Sequence, residues 1–259
     1  VWTTKAIKEA KKIGNVHVAY DGSVSNHDHC PSADEIHCID GASYLHYCSN
    51  NTIYGTRFSE VPVSDAPIIC DMSSEMFSRN IDWSNHSMVY AGAQKNLGPS
   101  GTVLVVIHKD MLERCPDTLP MMLNYKVHAE KGSCLNTPPA FGIYLMGQVF
   151  KWILSEGGIS AIEERNERKA AMIYDAIESS DGFYTLFARD CCRSRMNISF
   201  KSTTTETDAL FLQQAADQGM SGLKGHRNLG GLRASIYNAF PEEGCARFAE
   251  FLRSFAATH

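Results

Sequence analysis

Lys95 stands in Tyr90-Ala91-Gly92-Ala93-Gln94-Lys95-Asn96-Leu97-Gly98-Pro99-Ser100-Gly101, at the end of an apolar run and inside a cluster of small residues. A lysine that condenses with a carbonyl needs backbone brought close by glycines and enough desolvation to lower its pKa toward neutrality. An ordinary strand end followed by a Gly-Pro turn reads the same way from this segment alone, so the assignment turns on partners. Asp71 is the first of them. It closes the apolar run Pro67-Ile68-Ile69-Cys70, far enough before Lys95 to allow one crossover between neighbouring strands. Ligands of open α/β sheets collect at the carboxyl ends of strands, which would point both side chains into one crevice. A carboxylate so placed can hold a pyridine nitrogen protonated, the state in which pyridoxal phosphate accepts the electrons of a carbanion.

Two further motifs offer anion recognition. Arg233 follows two glycines in Gly230-Gly231-Leu232-Arg233-Ala234-Ser235, where a guanidinium fork could take an amino-acid carboxylate bidentately. Asn136-Thr137-Pro138-Pro139 reads as the start of a helix, whose free N–H groups and dipole favour an anion; an ordinary Thr cap with Pro after it fits equally well. His27-Asp28-His29-Cys30, with His37-Cys38 after it, is the nearest approach to a metal cluster. It lacks regular ligand spacing and is read as a solvated loop, so no metal is assigned.

The elements that must position these groups can be read in outline. Helix is expected over 4–13, strand over 15–20, and further strands over 43–48, 67–71 and 87–91. Thr102 to His108 is nearly all β-branched or apolar, the mark of a strand buried on both faces. Pro138 to Leu154 reads as a long apolar helix stopping before Gly157-Gly158, and Ser160-Ala161-Ile162-Glu163 as a capping box opening the next, charged helix. The remainder reads as strand (196–200), helix (206–218), strand (232–237) and a final helix opened by Pro241-Glu242-Glu243. The expected fold is α/β: a mostly parallel sheet in a large domain over residues 1–155, then a small α+β domain over 156–259.

Composition narrows the function. The chain has 259 residues, 44% hydrophobic and 20% charged, which suits a globular protein with a sizeable core. With 24 basic against 29 acidic residues the net charge of -5 leaves no basic footprint, so nucleic acid is not an expected partner. Nine cysteines, an odd count without a C-x-x-C pair, point to reduced thiols and a cytoplasmic setting. No apolar run reaches membrane-spanning length and no signal peptide is visible, so no membrane partner is expected.

The lysine segment resembles the signature of the class V aminotransferases, and the similarity runs from Trp2 to the C-terminal helix. The resemblance implies a fold type I transferase using pyridoxal 5'-phosphate. It assigns Lys95 to the Schiff base, Asp71 to the pyridinium nitrogen, Ser73 and Gln94 to the cofactor phosphate, and Thr52 to the ring's phenolic oxygen. Trp2 would stack on the ring, where a broad aromatic face suits an electron-poor pyridinium. Asn136 and Thr137 would reach the cofactor phosphate of the opposite subunit, which implies a homodimer. Arg233 would hold the substrate α-carboxylate, and His226 and Arg227 a substrate phosphate. That pair selects within the family, because a phosphate monoester calls for charge-assisted donors that alanine, serine or glyoxylate do not need. The reaction implied is reversible amino transfer between glutamate and 3-phosphohydroxypyruvate, giving O-phosphoserine and 2-oxoglutarate. Another class V aminotransferase, a desulfurase, or a non-catalytic dimerising form are the alternatives; Gln94 stands where desulfurases usually place histidine. Opening at Trp2, the chain is expected to lack a preceding family segment that supplies a glycine-rich turn and a His-Arg pair, and to show little turnover by itself.

Overall fold

The computed structural model describes residues 1–259. Helix α1 (Trp2–Ala10) leads into an irregular stretch, followed by β1 (Leu45–Cys48), the short pair β2 (Asn50–Asn51) and β3 (Thr56–Arg57), β4 (Ile68–Asp71), β5 (Met88–Gly92) and β6 (Val103–Ile107). Helices α2 (Lys109–Glu113), α3 (Tyr125–Glu130), α4 (Ala140–Ser155) and α5 (Gly158–Glu178) come next, then β7 (Thr185–Leu186), β8 (Asn197–Lys201), α6 (Thr205–Asp217), β9 (Leu232–Ser235) and α7 (Glu242–Thr258). One sheet has the order β1-β4-β5-β6, a second β7-β8-β9, and β2 and β3 form a two-stranded sheet of their own. The first is parallel from β1 to β5, with Cys48 beside Asp71 and Asp71 beside Tyr90. Side chains alternate along each strand. The row Tyr47, Cys70, Val89 therefore faces the core with Met72, Met76, Leu97 and Met146, while Cys48, Asp71 and Tyr90 take the opposite face.

The second core is aromatic. On α5, Ile162, Ala170, Ile173, Tyr174 and Ile177 recur at helical spacing, as do Cys245, Phe248, Leu252 and Phe255 on α7. These faces close on β8 and β9 around Phe211, whose ring lies 4.9 Å from that of Phe251 and 5.1 Å from that of Phe255. Lys169 ends among four carbonyl oxygens, those of Ile236 (3.1 Å), Tyr237 (2.8 Å), Asn238 (3.4 Å) and Phe240 (3.1 Å). Burial pushes its amine down to about 8, which still leaves an ammonium at pH 7 to satisfy them.

Five local expectations are corrected. Residues 15–20 form no strand: Ala19 accepts one amide, from His37, and no strand of the sheet lies beside them. The run Val103–Ile107 is a strand, but it pairs antiparallel to β5 at the sheet edge, and Val103 is 60% exposed. Being apolar on both faces did not make it central, because only one neighbour reaches it. Ser160 and Glu163 form no capping box. The helix starts earlier, after Gly157 at φ 100°, and both side chains instead accept hydrogen bonds from Asn80. Helix α4 begins at Ala140 with Pro139 at its cap, so Asn136 and Thr137 lie before the helix and not at its first turn. The 27–30 loop is not solvated. Arg189 donates to Asp28 through its amide (2.8 Å) and Nε (2.9 Å), Asp28 Oδ1 pairs with His29 Nδ1 at 2.7 Å, and Cys192 lies against the Asp28 carbonyl.

Candidate active site

A cleft of about 150 Å³ opens where β1, β4 and β5 end, lined by Trp2, Cys48, Asn50, Asp71, Ser73, Ser74, Gln94 and Lys95. Its floor follows from the strand ends. Asp71 is the last residue of β4, and one of its carboxylate oxygens accepts the Ser73 amide at 2.9 Å, which fixes the turn and leaves the other oxygen free. Ser73 Oγ accepts the Gly92 amide at 3.0 Å from the neighbouring strand, so its proton remains available to an anion. After β5 the chain wraps sharply, with the Leu97 and Gly98 amides both donating to the Ala93 carbonyl; this turn carries Gln94 and Lys95. Asn96 anchors the turn from behind, its Oδ1 accepting the Asn238 amide at 3.0 Å.

The electrostatics suit a nucleophilic amine. Burial pushes Lys95 below the usual lysine range; Asp71 and Cys48 oppose that, and Arg233 adds to it. Burial, reinforced by Asp71, pushes the Cys48 thiol up to about 11, so it lines the cleft uncharged at neutral pH. Behind Asp71, His46 Nε2 and Tyr90 OH are paired at 2.9 Å, and burial lowers the His46 pKa.

Thr52 joins the two sides of the cleft. Trp2 Nε1 donates to its hydroxyl at 3.3 Å, and Arg233 Nη1 donates to its carbonyl at 2.9 Å. The Lys5 ammonium lies 4.6 Å from the centre of the Trp2 ring. Arg233 Nε is buried without a partner, so the guanidinium keeps an unspent donor on this side. The loop before it turns tightly at 225–231: the Gly225 amide donates to the Gly231 carbonyl at 2.8 Å, and a side chain at Gly225 would collide with the Gly230 carbonyl. That loop presents His226 and exposed Arg227. The Asn228 amide donates to His226 Nδ1 at 3.3 Å, which leaves the ring proton on Nε2. Burial lowers the His226 pKa, and the neighbouring cations Arg233, Arg227 and Lys5 lower it further.

Seven of the residues singled out from sequence thus converge: Trp2, Thr52, Asp71, Ser73, Gln94, Lys95 and Arg233. Asn136 and Thr137 do not; they are exposed, and Asn136 Nδ2 donates only to the Thr137 carbonyl at 3.4 Å. Cys48, Asn50 and Ser74 line the cleft and escaped the sequence reading. The strand-end rule used for Asp71 would have found Cys48, which is its register partner.

Amine, carboxylate and aromatic face meet in one cleft, and the family match gives the class of protein: the chain belongs to the class V aminotransferases, whose model matches residues 3–248. Within that family it falls among the phosphoserine aminotransferases. The enzyme of that name from Desulfotalea psychrophila is 49% identical over 258 residues, 100% of this chain and 71% of that protein. The solved phosphoserine aminotransferase of Bacillus circulans subsp. alkalophilus superposes with a TM-score of 0.97 at 45% identity, covering 100% of this chain and 72% of that one. The pyridoxal-phosphate-bound enzyme from Trichomonas vaginalis gives 0.92 at 34% identity over 98% of this chain and 73% of that one. The mixed α/β fold and the dependence on pyridoxal phosphate follow from this membership.

Proposed function

We propose that the reaction this chain's cleft serves is reversible amino transfer between glutamate and 3-phosphohydroxypyruvate, giving O-phosphoserine and 2-oxoglutarate, as a step of serine biosynthesis. The observation that carries the reading is the meeting of Lys95, Asp71 and Arg233 at one cleft with a basic pair, His226 and Arg227, on the adjoining loop. Pyridoxal phosphate bound there supplies an electron sink for the Cα–H bond that must break. The donor set fits that group: Asp71 offers a free carboxylate oxygen to the ring nitrogen, and Ser73 a free hydroxyl proton to the phosphate. Trp2 would face the ring, Gln94 would join Ser73 at the phosphate, and Thr52 would attend the phenolic oxygen.

The chain's own residues then divide the work. Lys95 would hold the cofactor through its amine and, with that amine free, would take the substrate α-proton and give a proton back as base and then acid. Burial, which pushes its pKa below the usual lysine range, eases release of the proton that the free amine must lose. Arg233 grips the α-carboxylate with the donors that Thr52 leaves unspent. His226 Nε2–H and Arg227 take the phosphate of the phosphorylated substrate, so selection against unphosphorylated amino acids rests on them.

Asn136 and Thr137 serve the partner's cleft in a homodimer. What supports this is their distance from their own cleft and the apolar surface next to them on α4, with Phe141 72% and Tyr144 60% exposed. The division at residues 155/156 follows the two separate cores, and the cytoplasm is the proposed compartment. The test is phosphoserine-driven conversion of 2-oxoglutarate to glutamate, with borohydride reduction and peptide mapping of the holoenzyme. Label on the Lys95 peptide is expected; label elsewhere, or equal turnover of alanine, overturns the reading. For the dimer, Phe141→Asp should shift sedimentation toward the monomer.

A further inference from the structure

Asn50 and Asn197 are both buried and are joined amide to amide, Asn50 Nδ2 donating to Asn197 Oδ1 at 2.9 Å. Every polar atom of the pair is used. Asn50 Nδ2 also donates to Ser74 Oγ at 2.8 Å, and its Oδ1 accepts from Ser194 Oγ at 2.5 Å. Asn197 Nδ2 donates to Ser235 Oγ and to Tyr237 OH, both at 3.1 Å. No member carries a charge at neutral pH, so the network is pH-independent there and fixed in orientation.

The ends of this network matter. On one side Asn50 and Ser74 line the cleft beside Asp71 and Ser73. On the other, Asn197 is the register partner of Ser235 on β9, the strand that carries Arg233, and Ser199 is the partner of Arg233 itself. Ser199 Oγ donates to the Ile53 carbonyl at 2.8 Å, and Gly55 lies so close to β8 that a side chain there would meet the Asn197 carbonyl at 2.9 Å. Segment 50–55 is thus clamped onto β8. The hydrogen bond that the Arg233 guanidinium makes goes to the Thr52 carbonyl, inside that clamped segment.

We propose that the Asn50–Asn197 pair is a positioning element for substrate: it sets where the Arg233 fork stands relative to Lys95 and Asp71. The inference rests on the carboxylate role given to Arg233 above. A bidentate guanidinium–carboxylate contact is directional, and small misplacements of a positioning group cost up to about a hundredfold. Loss of the pair lets segment 50–55 and β9 shift separately, so the fork meets the carboxylate at the wrong angle while Lys95, Asp71 and Ser73, held by β4 and β5, stay in place.

The test is a double-mutant cycle on the holoenzyme, reading KM for glutamate and phosphoserine, kcat, and the visible absorbance of bound cofactor. Asn197→Ala is expected to raise both KM values about tenfold while cofactor absorbance is retained. In an Arg233→Ala background the same change should add nothing, because the group being positioned is gone. Asn197→Asp should restore near-native KM, since Ser235 and Tyr237 hydroxyls can reverse and donate to the carboxylate. Additive losses in the cycle, or cofactor lost with KM unchanged, overturn the proposal and leave the pair as packing. An Arg233→Ala enzyme with native KM overturns the carboxylate reading instead. If Asn197→Ala yields no soluble holoenzyme, Ser235→Ala passes through the same cycle, with a smaller loss of the same coupled kind expected and additivity again the contrary result.

Discussion

The two cores of this molecule are built on different principles. Around Phe211, rings from Tyr184, Phe200, Phe248, Phe251 and Phe255 meet edge to face, and α5, α6 and α7 close over β8 and β9. Around Cys70 the core is smaller, with Tyr47, Ile68 and Val89 beside Ala91, Ala93, Leu97 and three methionines, and the opposite sheet face is given over to Asp71, Cys48 and the His46–Tyr90 pair. Aromatic packing supplies large buried area and fixed geometry, whereas methionine and alanine fill space while leaving backbone free to approach a ligand. The chemistry sits on the weaker core and is braced by the stronger one through Asn238 to Asn96 and through Asn197 to Asn50.

That contrast can be broken first at the chemistry. Lys95→Ala removes one functional group and little packing, so turnover should fall by at least about 10²–10⁴-fold from the proton-transfer role alone. Single-turnover kinetics and a melting curve on one preparation check it; full activity in the mutant would sink the assignment. Phe211→Ala should do the reverse, costing about 3–5 kcal/mol of stability by leaving a cavity among five rings, with the cleft chemistry unaltered in the fraction that remains folded. Denaturant titration reads this directly. A loss under 1 kcal/mol would mean the aromatic core collapses onto the gap.

Smaller effects sharpen the same division. Arg227→Ala removes one charge-assisted contact, worth roughly 1.5–3 kcal/mol, so KM for phosphoserine should rise about ten- to a hundredfold with glutamate little changed. Equal losses on both substrates would refute a dedicated phosphate contact. The smallest effect concerns the resting amine. Lys95 has a folded pKa below its unfolded value, so at neutral pH the folded state carries a charge it disfavours, and that penalty is relieved as pH rises through the folded value toward 10.5. Lys95→Met in the cofactor-free protein should therefore melt higher than the parent at pH 7, by the order of a few °C, with the gap narrowing toward pH 10. A gap that widens with pH would show that the lysine is stabilised as an ammonium.

Much of the site was legible before any coordinates. Asp71 closes β4 and Lys95 lies in the turn after β5, and carboxyl ends of strands are where an α/β sheet gathers ligands; Arg233 instead starts β9 and was marked by the two glycines before it. The helices α5 and α7 announce themselves through the spacing of Ile173 and Ile177, Phe248 and Leu252, because helical periodicity is a local property of the chain. Trp2, Thr52, Ser73 and Gln94 were named only through the family resemblance, and they meet the others at the cleft.

Other features belong to the tertiary structure alone. Ser160 and Glu163 have the spacing of a capping box, yet Asn80, from a distant loop, takes both side chains, and the helix starts at Gly158 instead. The segment Val103–Ile107 has the composition of a central strand and lies at an edge, since composition reports how apolar a strand is and not how many neighbours find it. Asn50 and Asn197 are 147 residues apart and carry no pattern that predicts their meeting. A side-chain amide bonds with whichever partner packing delivers, and in this fold packing delivers one asparagine from each half of the chain to the seam between β2 and β8.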